Sequence, residues 1–320
     1  MAAVNRNEPK RAKSSESTYS FMEFSRDFPD DSACLDYLWR KQYAPDGHHA
    51  HCPKCDRERK FHRVKDRPAY DCDTCGHHLH PTAGTIFHKS STSLHLWFFA
   101  MYIMASTRCG VSAKQLEREL GVTYKTAWRM FNLIRNQVMA DDLEGPLRGE
   151  VEADETWHGG KLRNKDRRAA EAAGKKNRGQ YTKLVPRETV FAMVERGGRV
   201  VAMHMPSRYG YTLRTALRQH VEPGSTVYTD DFKGYTGIER VYNRQTIDHS
   251  ARVYVSGNVH TQTIEGFFSL FKNGVRGVYH SVSVKWLQGY LNEYTWRYNR
   301  RDNGRAMFLD LIEASASRVR

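Results

Sequence analysis

Asp154 closes the strand-like run VEAD, Asp230 closes a second, STVYTD, and Glu265 stands near the start of an amphipathic helix, with 34 residues between the last two. Strand ends on one side of a mixed sheet bring two carboxylates together, and a helix packed beside them supplies a third. Carboxylates grouped in this way repel one another unless a cation sits between them. Two Mg²⁺ (or Mn²⁺) ions held by Asp154, Asp230 and Glu265 would activate an attacking oxygen and stabilise a leaving one. That is the chemistry of an in-line phosphoryl displacement.

The chain holds 36 Asp and Glu residues, and most must be solvated surface charges. Asp154 has Glu152 and Glu155 beside it, and Asp230 has Asp231, so register matters. Strand alternation sets Val151 and Ala153 on one face and Glu152 and Asp154 on the other. Asp230 and Asp231 stay as alternatives. On the helix, Glu265, Ser269 and Lys272 share one face, while Ile264, Phe267, Phe268 and Phe271 can pack inward. An acid and a base seven residues apart could hold metal and phosphate together; the alternative for Lys272 is an ordinary solvated lysine.

A second constellation lies upstream. Cys52-Pro-Lys-Cys55 and Cys72-Asp-Thr-Cys75 are separated by 16 residues. Each C-x-x-C turn puts two thiolates on one side of an ion, and tetrahedral Zn²⁺ takes four. The pair reads as a zinc ribbon whose strands are FHRV and the segment near Tyr70. Four cysteines leave no open position, so the site is structural, and so small a β unit needs its metal to fold. His51, His77, His78 and His80 read as surface histidines. Cys34 and Cys109 read as buried, inert thiols.

Between these sites SAKQLEREL, Gly121 and TYKTAWRMFNLIRNQV read as helix, tight turn, helix, with Ser112 and Thr123 as caps. Ala127, Phe131, Ile134 and Val138 share the apolar face. As a DNA-binding helix-turn-helix, the second helix would present Tyr124, Lys125, Thr126 and Arg129 to a major groove. The alternative is a plain helical hairpin.

The formal charge is +14 with a sequence pI near 9.5, which points to an acidic polymer as partner. A membrane is the weaker choice. The longest apolar stretch, Leu94 to Ala105, is broken by His95 and is too short to span one. The N-terminus carries no apolar signal core, so the expected location is the cytoplasm. The expected organisation is a disordered basic tail (1–20), an N-terminal helix plus zinc ribbon (21–90), a helix-turn-helix-like region (91–145), an α/β catalytic domain (146–305) and a C-terminal helix or tail (306–320). A basic insertion at 160–188 reads as a solvated loop that would order on DNA backbone.

HCPKC…CDTCG, PTAGTIFHKSS, GEVEADETWHGGK, YTDDFKGY, HTQTIEGFFSLFKNGVRGVYH and LNEYTWRYNRR together resemble bacterial insertion-sequence transposases. These carry an N-terminal zinc ribbon and a DDE domain of the ribonuclease-H-like, retroviral-integrase superfamily. The resemblance covers nearly the whole chain. It implies that Asp154, Asp230 and Glu265 hold the metals, that Lys272 is the lysine following the glutamate, and that His260 touches DNA or the site. Gln262 stands where Asn is more usual. The implied partners are double-stranded DNA, as terminal inverted repeats and target, and further copies of the chain. A DNA-binding regulator without catalysis and a structure-specific nuclease are the rival functions.

Overall fold

Side-chain caps start most helices of the N-terminal half. The computed structural model describes residues 19–107, 109–140, 145–159, 168, 171–172, 174, 187–247, 261–301 and 307–317. The chain divides into two units, Met1–Met139 with Arg300–Arg320, and Ala140–Asn299.

In the first unit Ser20 and Glu23 form a capping box for α1 (Phe21–Asp27), and the Asp30 carboxylate accepts from Ala33 N–H to start α2 (Asp31–Gln42). Pro29 separates them. Strands β1 (His49–Cys52), β2 (Arg57–Arg63), β3 (Tyr70–Cys72) and β4 (His78–Leu79) form an antiparallel sheet in chain order. Trp39 of α2 lies flat on Tyr70 of β3, ring centroids 4.1 Å apart, and its indole N–H donates to the Gly47 carbonyl. Helix α3 (Leu94–Ser106) buries Trp97, Phe98, Met101 and Met104. Helices α4 (Ala113–Leu120) and α5 (Tyr124–Leu133) follow, separated by Gly121 in the left-handed region at φ 63°, where a Cβ would be strained. Ala127, Phe131, Ile134 and Val138 are buried.

The helix Met307–Ser315 also belongs to this unit. Its Phe308 packs among Tyr19, Phe24, Phe28 and Tyr102, so the chain returns to finish the first core after completing the second unit. Cys34 is buried as expected, but Cys109 is exposed. Helix α3 ends at Ser106, which leaves Cys109 in the turn before Gly110.

The second unit is a mixed α/β layer. Its sheet runs β7-β6-β5-β8-β9, built from β5 (Glu150–Gly159), β6 (Arg187–Glu195), β7 (Val200–Met205), β8 (Thr226–Asp230) and β9 (Asn243–Ile247). The first three in sequence are antiparallel neighbours, and β8 and β9 join parallel. The Gly197-Gly198 turn joins β6 to β7, with Gly197 at φ 70°. Helix α6 (Gly210–His220) covers one face: Leu213 and Leu217 meet Val151, Ala153, Phe191 and Met193. Helices α7 (Gln262–Gly274) and α8 (Leu287–Asn299) complete the unit.

Strand β7 is an edge, and side chains of α8 occupy its open backbone groups. The Gln288 amide accepts from His204 N–H and donates to the Ala202 carbonyl; the Asn299 amide accepts from Val200 N–H and donates to its carbonyl. These bonds replace a missing neighbour strand and close the edge to another chain.

One expected boundary moves. Asp154 lies in the middle of β5, not at its end, because β6 pairs with the whole of β5, from Val151↔Glu195 to Gly159↔Arg187. The parallel pairing with β8 spans only Glu150 to Glu152, so the ladder ends two residues before Asp154 and Asp230.

Candidate active site and metal centre

Strand β5 alternates strictly, and the alternation sorts its acids. The parallel register runs Glu150↔Thr226, Val151↔Val227 and Glu152↔Tyr228, so Asp154 and Asp230 each lie two residues beyond its last pair, at the same end of the two strands. Glu265 enters from the first turn of α7, its backbone N–H donating to Thr261 O and its carboxylate accepting from the Thr261 hydroxyl at 3.3 Å. Burial pushes the Asp154 carboxyl up to about 7, aided by the charges of Glu155, Asp230 and Glu265 and opposed by a hydrogen bond from Glu155 N–H. Asp230 and Glu265 therefore each lie within electrostatic reach of Asp154, although among the described residues only the four cysteines bring their ligand atoms within 4.8 Å of one another.

The neighbouring acids have other partners. Glu155 points to the opposite face, where its buried carboxylate pairs with Arg208 and accepts from the Tyr235 hydroxyl. Burial and Glu155 hold that phenol well above its ordinary range. Glu152 shares the face of Asp154 but is fully buried. It accepts from Arg196 Nε at 2.8 Å, from the Thr263 hydroxyl at 3.0 Å and from Ile264 N–H at 3.0 Å. It thus ties β5 to the start of α7 and sets the height at which Glu265 sits beside Asp154. Asp230 accepts from Phe232 N–H at 3.1 Å and is half-buried, whereas Asp231 is exposed.

On α7, Ile264, Phe267, Phe268 and Phe271 are buried and Glu265 and Ser269 exposed, the face division read from spacing. Lys272 is half-buried. Burial lowers its pKa, Arg276 lowers it further, and Asp154 raises it, so the ammonium lies within reach of the carboxylate cluster. His260, and most of the basic insertion at 160–188, lie outside the described residues.

The four cysteines of the first unit converge. Their sulfurs all lie within 4.8 Å of one another, with Cys52–Cys75 at 3.6 Å and Cys55–Cys72 at 4.0 Å. A tetrahedral Zn²⁺ with bonds of about 2.3 Å demands sulfur separations of about 3.8 Å, which the 3.6 and 4.0 Å pairs bracket, so the cluster could hold zinc. Burial pushes the Cys52 thiol up, but backbone N–H groups of Cys55 and Lys54 and the Cys75 thiol more than offset it, to about 7. A sulfur solvated by amide donors is prepared to be a thiolate.

Residues 146–299 match the ISXO2-like transposase domain family. A protein in transposable element ISH50 of Halobacterium salinarum, itself uncharacterized, is 29% identical over 256 residues, 77% of this chain and 84% of its own length. Residues 146–299 are thus similar to an ISXO2-like transposase domain. That domain coincides with the second unit, whose boundary falls at Asn299. Its mixed α/β architecture is consistent with a DDE transposase, and such a domain implies divalent-metal use. The ISH50 relative covers more of the chain than the transposase domain alone, so the similarity extends into the first unit.

There, Tyr124, Lys125 and Arg129 are exposed and Thr126 is half-buried. Tyr124 stacks on Trp128, with Lys114 Nζ 4.9 Å above its ring. Among the described residues no helix is long and apolar enough to cross a membrane.

Sequence reading missed the Glu152–Arg196–Thr263 anchor and the Arg208–Glu155–Tyr235 group of the transposase domain. The signal for the first was present: alternation had already put Glu152 on a face that a helix must cover. Its partners, 44 and more than 110 residues away, carry no spacing signal.

Proposed function

We propose that this protein is a DNA transposase of an insertion sequence, working at Asp154, Asp230 and Glu265. The observation that supports the reading is that Asp154 and Asp230 each follow the last β5–β8 pair by two residues, and that Asp154 feels the charges of both Asp230 and Glu265. Three antiparallel strands followed by two parallel ones, with helices packed on the sheet, support a ribonuclease-H-like assignment. The donors are hard carboxylate oxygens, and Asp154, lifted to about 7, is a group that a cation would return to its charged form. Bound Mg²⁺ or Mn²⁺ would activate the attacking oxygen and neutralise charge on the leaving one.

The protein's own groups then have defined tasks. Asp154 and Asp230 hold their carboxylates on rigid strands, and Glu152 fixes the helix that brings Glu265. Lys272 holds a DNA phosphate beside them. The first reaction frees a 3′-OH at the element's end by hydrolysis, and the second joins that hydroxyl to target DNA at the same carboxylates. No protein–DNA bond forms. In the first unit Cys52, Cys55, Cys72 and Cys75 hold a structural Zn²⁺ in a zinc ribbon. Tyr124, Lys125, Thr126 and Arg129 face the terminal repeats. His260 and the insertion are assigned to DNA contact on sequence grounds. Two ends must be processed together, so the working form on DNA is a dimer or larger.

The test is a strand-transfer assay with a pre-cut terminal repeat, Mg²⁺ and a supercoiled target. Joined product is expected, and Asp154→Asn, Asp230→Asn and Glu265→Gln each abolish it while end binding survives. Cleavage without joining would mark a nuclease, and binding without chemistry a regulator. Full activity in Asp230→Asn would move that role to Asp231.

A further inference from the structure

The end of β5 and the last turn of α7 enclose a cleft of about 380 Å³ whose lining includes His158, Phe271, Lys272, Arg276, His280 and Ser283. That volume lies within the range of small-ligand sites. The floor is aromatic: the His158 and Phe271 rings lie 6.3 Å apart. His158 is fixed by a 2.9 Å hydrogen bond between Nε2 and the Val282 carbonyl. A carbonyl only accepts, so Nε2 carries the proton, and Nδ1 of a neutral ring remains to accept.

The rim is cationic. Among the described residues no salt bridge engages Lys272 or Arg276, and no carboxylate lines the cleft. Two backbone features turn these groups toward it. Helix α7 runs into a π-helical turn, Val275–Tyr279, which carries Arg276 on the cleft wall. His280 then adopts φ 58° and ψ −37°, a conformation disfavoured for any residue with a Cβ. Lys272 bridges the two places, since it lines the cleft and feels the charge of Asp154.

We infer that this cleft is a subsite for one unpaired nucleotide of the processed DNA strand. Its base lies against the half-buried His158 ring, which Phe271 backs from the core, and its phosphate lies on Lys272 and Arg276. The inference rests on the transposase reading and adds a base-binding pocket to it. A bare phosphate would need no aromatic floor, and a duplex is far too wide for the cleft. A nucleotide drawn out of the stack satisfies both the floor and the rim. His280 is exposed on the lining, where its imidazole can stack or meet the phosphate.

The experiment uses the full-length protein and two fluorescent single strands with equal numbers of phosphates, a thymidine 12-mer and a 12-mer of abasic tetrahydrofuran units. Stacking predicts that the thymidine strand binds about five- to a hundredfold tighter. His158→Leu reduces that preference at least threefold, whereas Arg276→Ala weakens both strands alike. A third strand carrying 5-iodouracil is photocrosslinked to the wild-type protein and the adduct mapped by mass spectrometry, which needs no variant to fold. Adducts within 157–159 or 271–283 are expected. Adducts confined to other segments, or equal affinity for the two 12-mers, would overturn the pocket. Strand transfer assayed on the same preparation separates the two readings: loss of joining with a mapped adduct fails the transposase reading alone, and joining without an adduct here fails the pocket alone.

Discussion

Glu152 offers a sharp perturbation because it touches no reacting atom in the proposed chemistry and yet governs a helix that does. Its side chain has no solvent exposure and that of its partner Arg196 has 13%. Removing one member of a buried ion pair costs about 3–5 kcal/mol, because the other stays buried and charged. Arg196 keeps a weaker partner in Glu150 at 3.5 Å and stacks on Tyr228 at 3.9 Å, which places the loss at the lower end. Glu152→Ala also strips an acceptor from Ile264 N–H and the Thr263 hydroxyl, adding about 1 kcal/mol. The expected cost is about 4 kcal/mol. A chain of two units has no single unfolding free energy, so the assay is amide hydrogen exchange across β5 and the first turns of α7. At about 1.4 kcal/mol per tenfold, protection there should fall by two to three orders of magnitude while α4 and α5 are unchanged. Glu152→Gln, which keeps one acceptor, should lose about half as much free energy. Joining should slow in both variants because Glu265 rides on the loosened helix. Protection within threefold of wild type in Glu152→Ala would refute the anchor. Normal joining despite a loosened α7 would refute the claim that this anchor positions Glu265.

Other outcomes follow from the same groups. Asp154, raised to about 7, holds its proton more tightly folded than unfolded, so in EDTA the catalytic unit should lose stability as pH rises from about 4 to about 7, by at most about 4 kcal/mol. Asp154→Asn should remove that slope in denaturation curves taken across the range, and Mg²⁺ should stabilise wild type but not the variant. Purified protein should carry about one zinc per chain by elemental analysis. Cys72→Ser should release it and abolish exchange protection in β1 to β3, leaving β5 and β6 protected. Gly274→Ala should cost about 1–3 kcal/mol by hydrogen exchange in α7 and α8, since the new Cβ would lie 1.5 Å from the Tyr294 hydroxyl.

What the sequence made legible was whatever had a local period. Two C-x-x-C turns give the sulfur cluster, the 3.6-residue rhythm gives the inward face of α7, and Ser112, Gly121 and Thr123 mark the ends of α4 and the start of α5. Interactions between distant segments have no such period. The return of Met307–Ser315 to the first core, the capping of the β7 edge by Gln288 and Asn299, and the π-helical turn after α7 could not be read from spacing. Helix α8 shows why. Its 3.6-residue stripe of Leu287, Tyr290, Leu291 and Tyr294 is only part of what it hides, for Glu293, Trp296 and Arg297 are buried too. The two charges, one turn apart, pair at 3.1 Å, so a face that reads as polar can be covered.

The three acids at 152, 154 and 155 carry the same lesson into the active site. Composition cannot rank them, and alternation removes only Glu155, which faces α6 and pairs with Arg208. Glu152 and Asp154 share a face and are separated by what covers them. Arg196 and the start of α7 close over Glu152 and fix its charge. Asp154, one pleat further along, has one backbone donor, Glu155 N–H, against burial and three neighbouring carboxylates, so its charge is poorly balanced until a cation arrives. The first arrangement suits an anchor and the second a metal ligand. Exchanging the two environments should therefore exchange the roles: Arg196→Met should weaken the anchor without touching metal affinity. A loss of Mg²⁺-dependent stabilisation in that variant equal to the loss in Asp154→Asn would show that the division between the two acids is drawn in the wrong place.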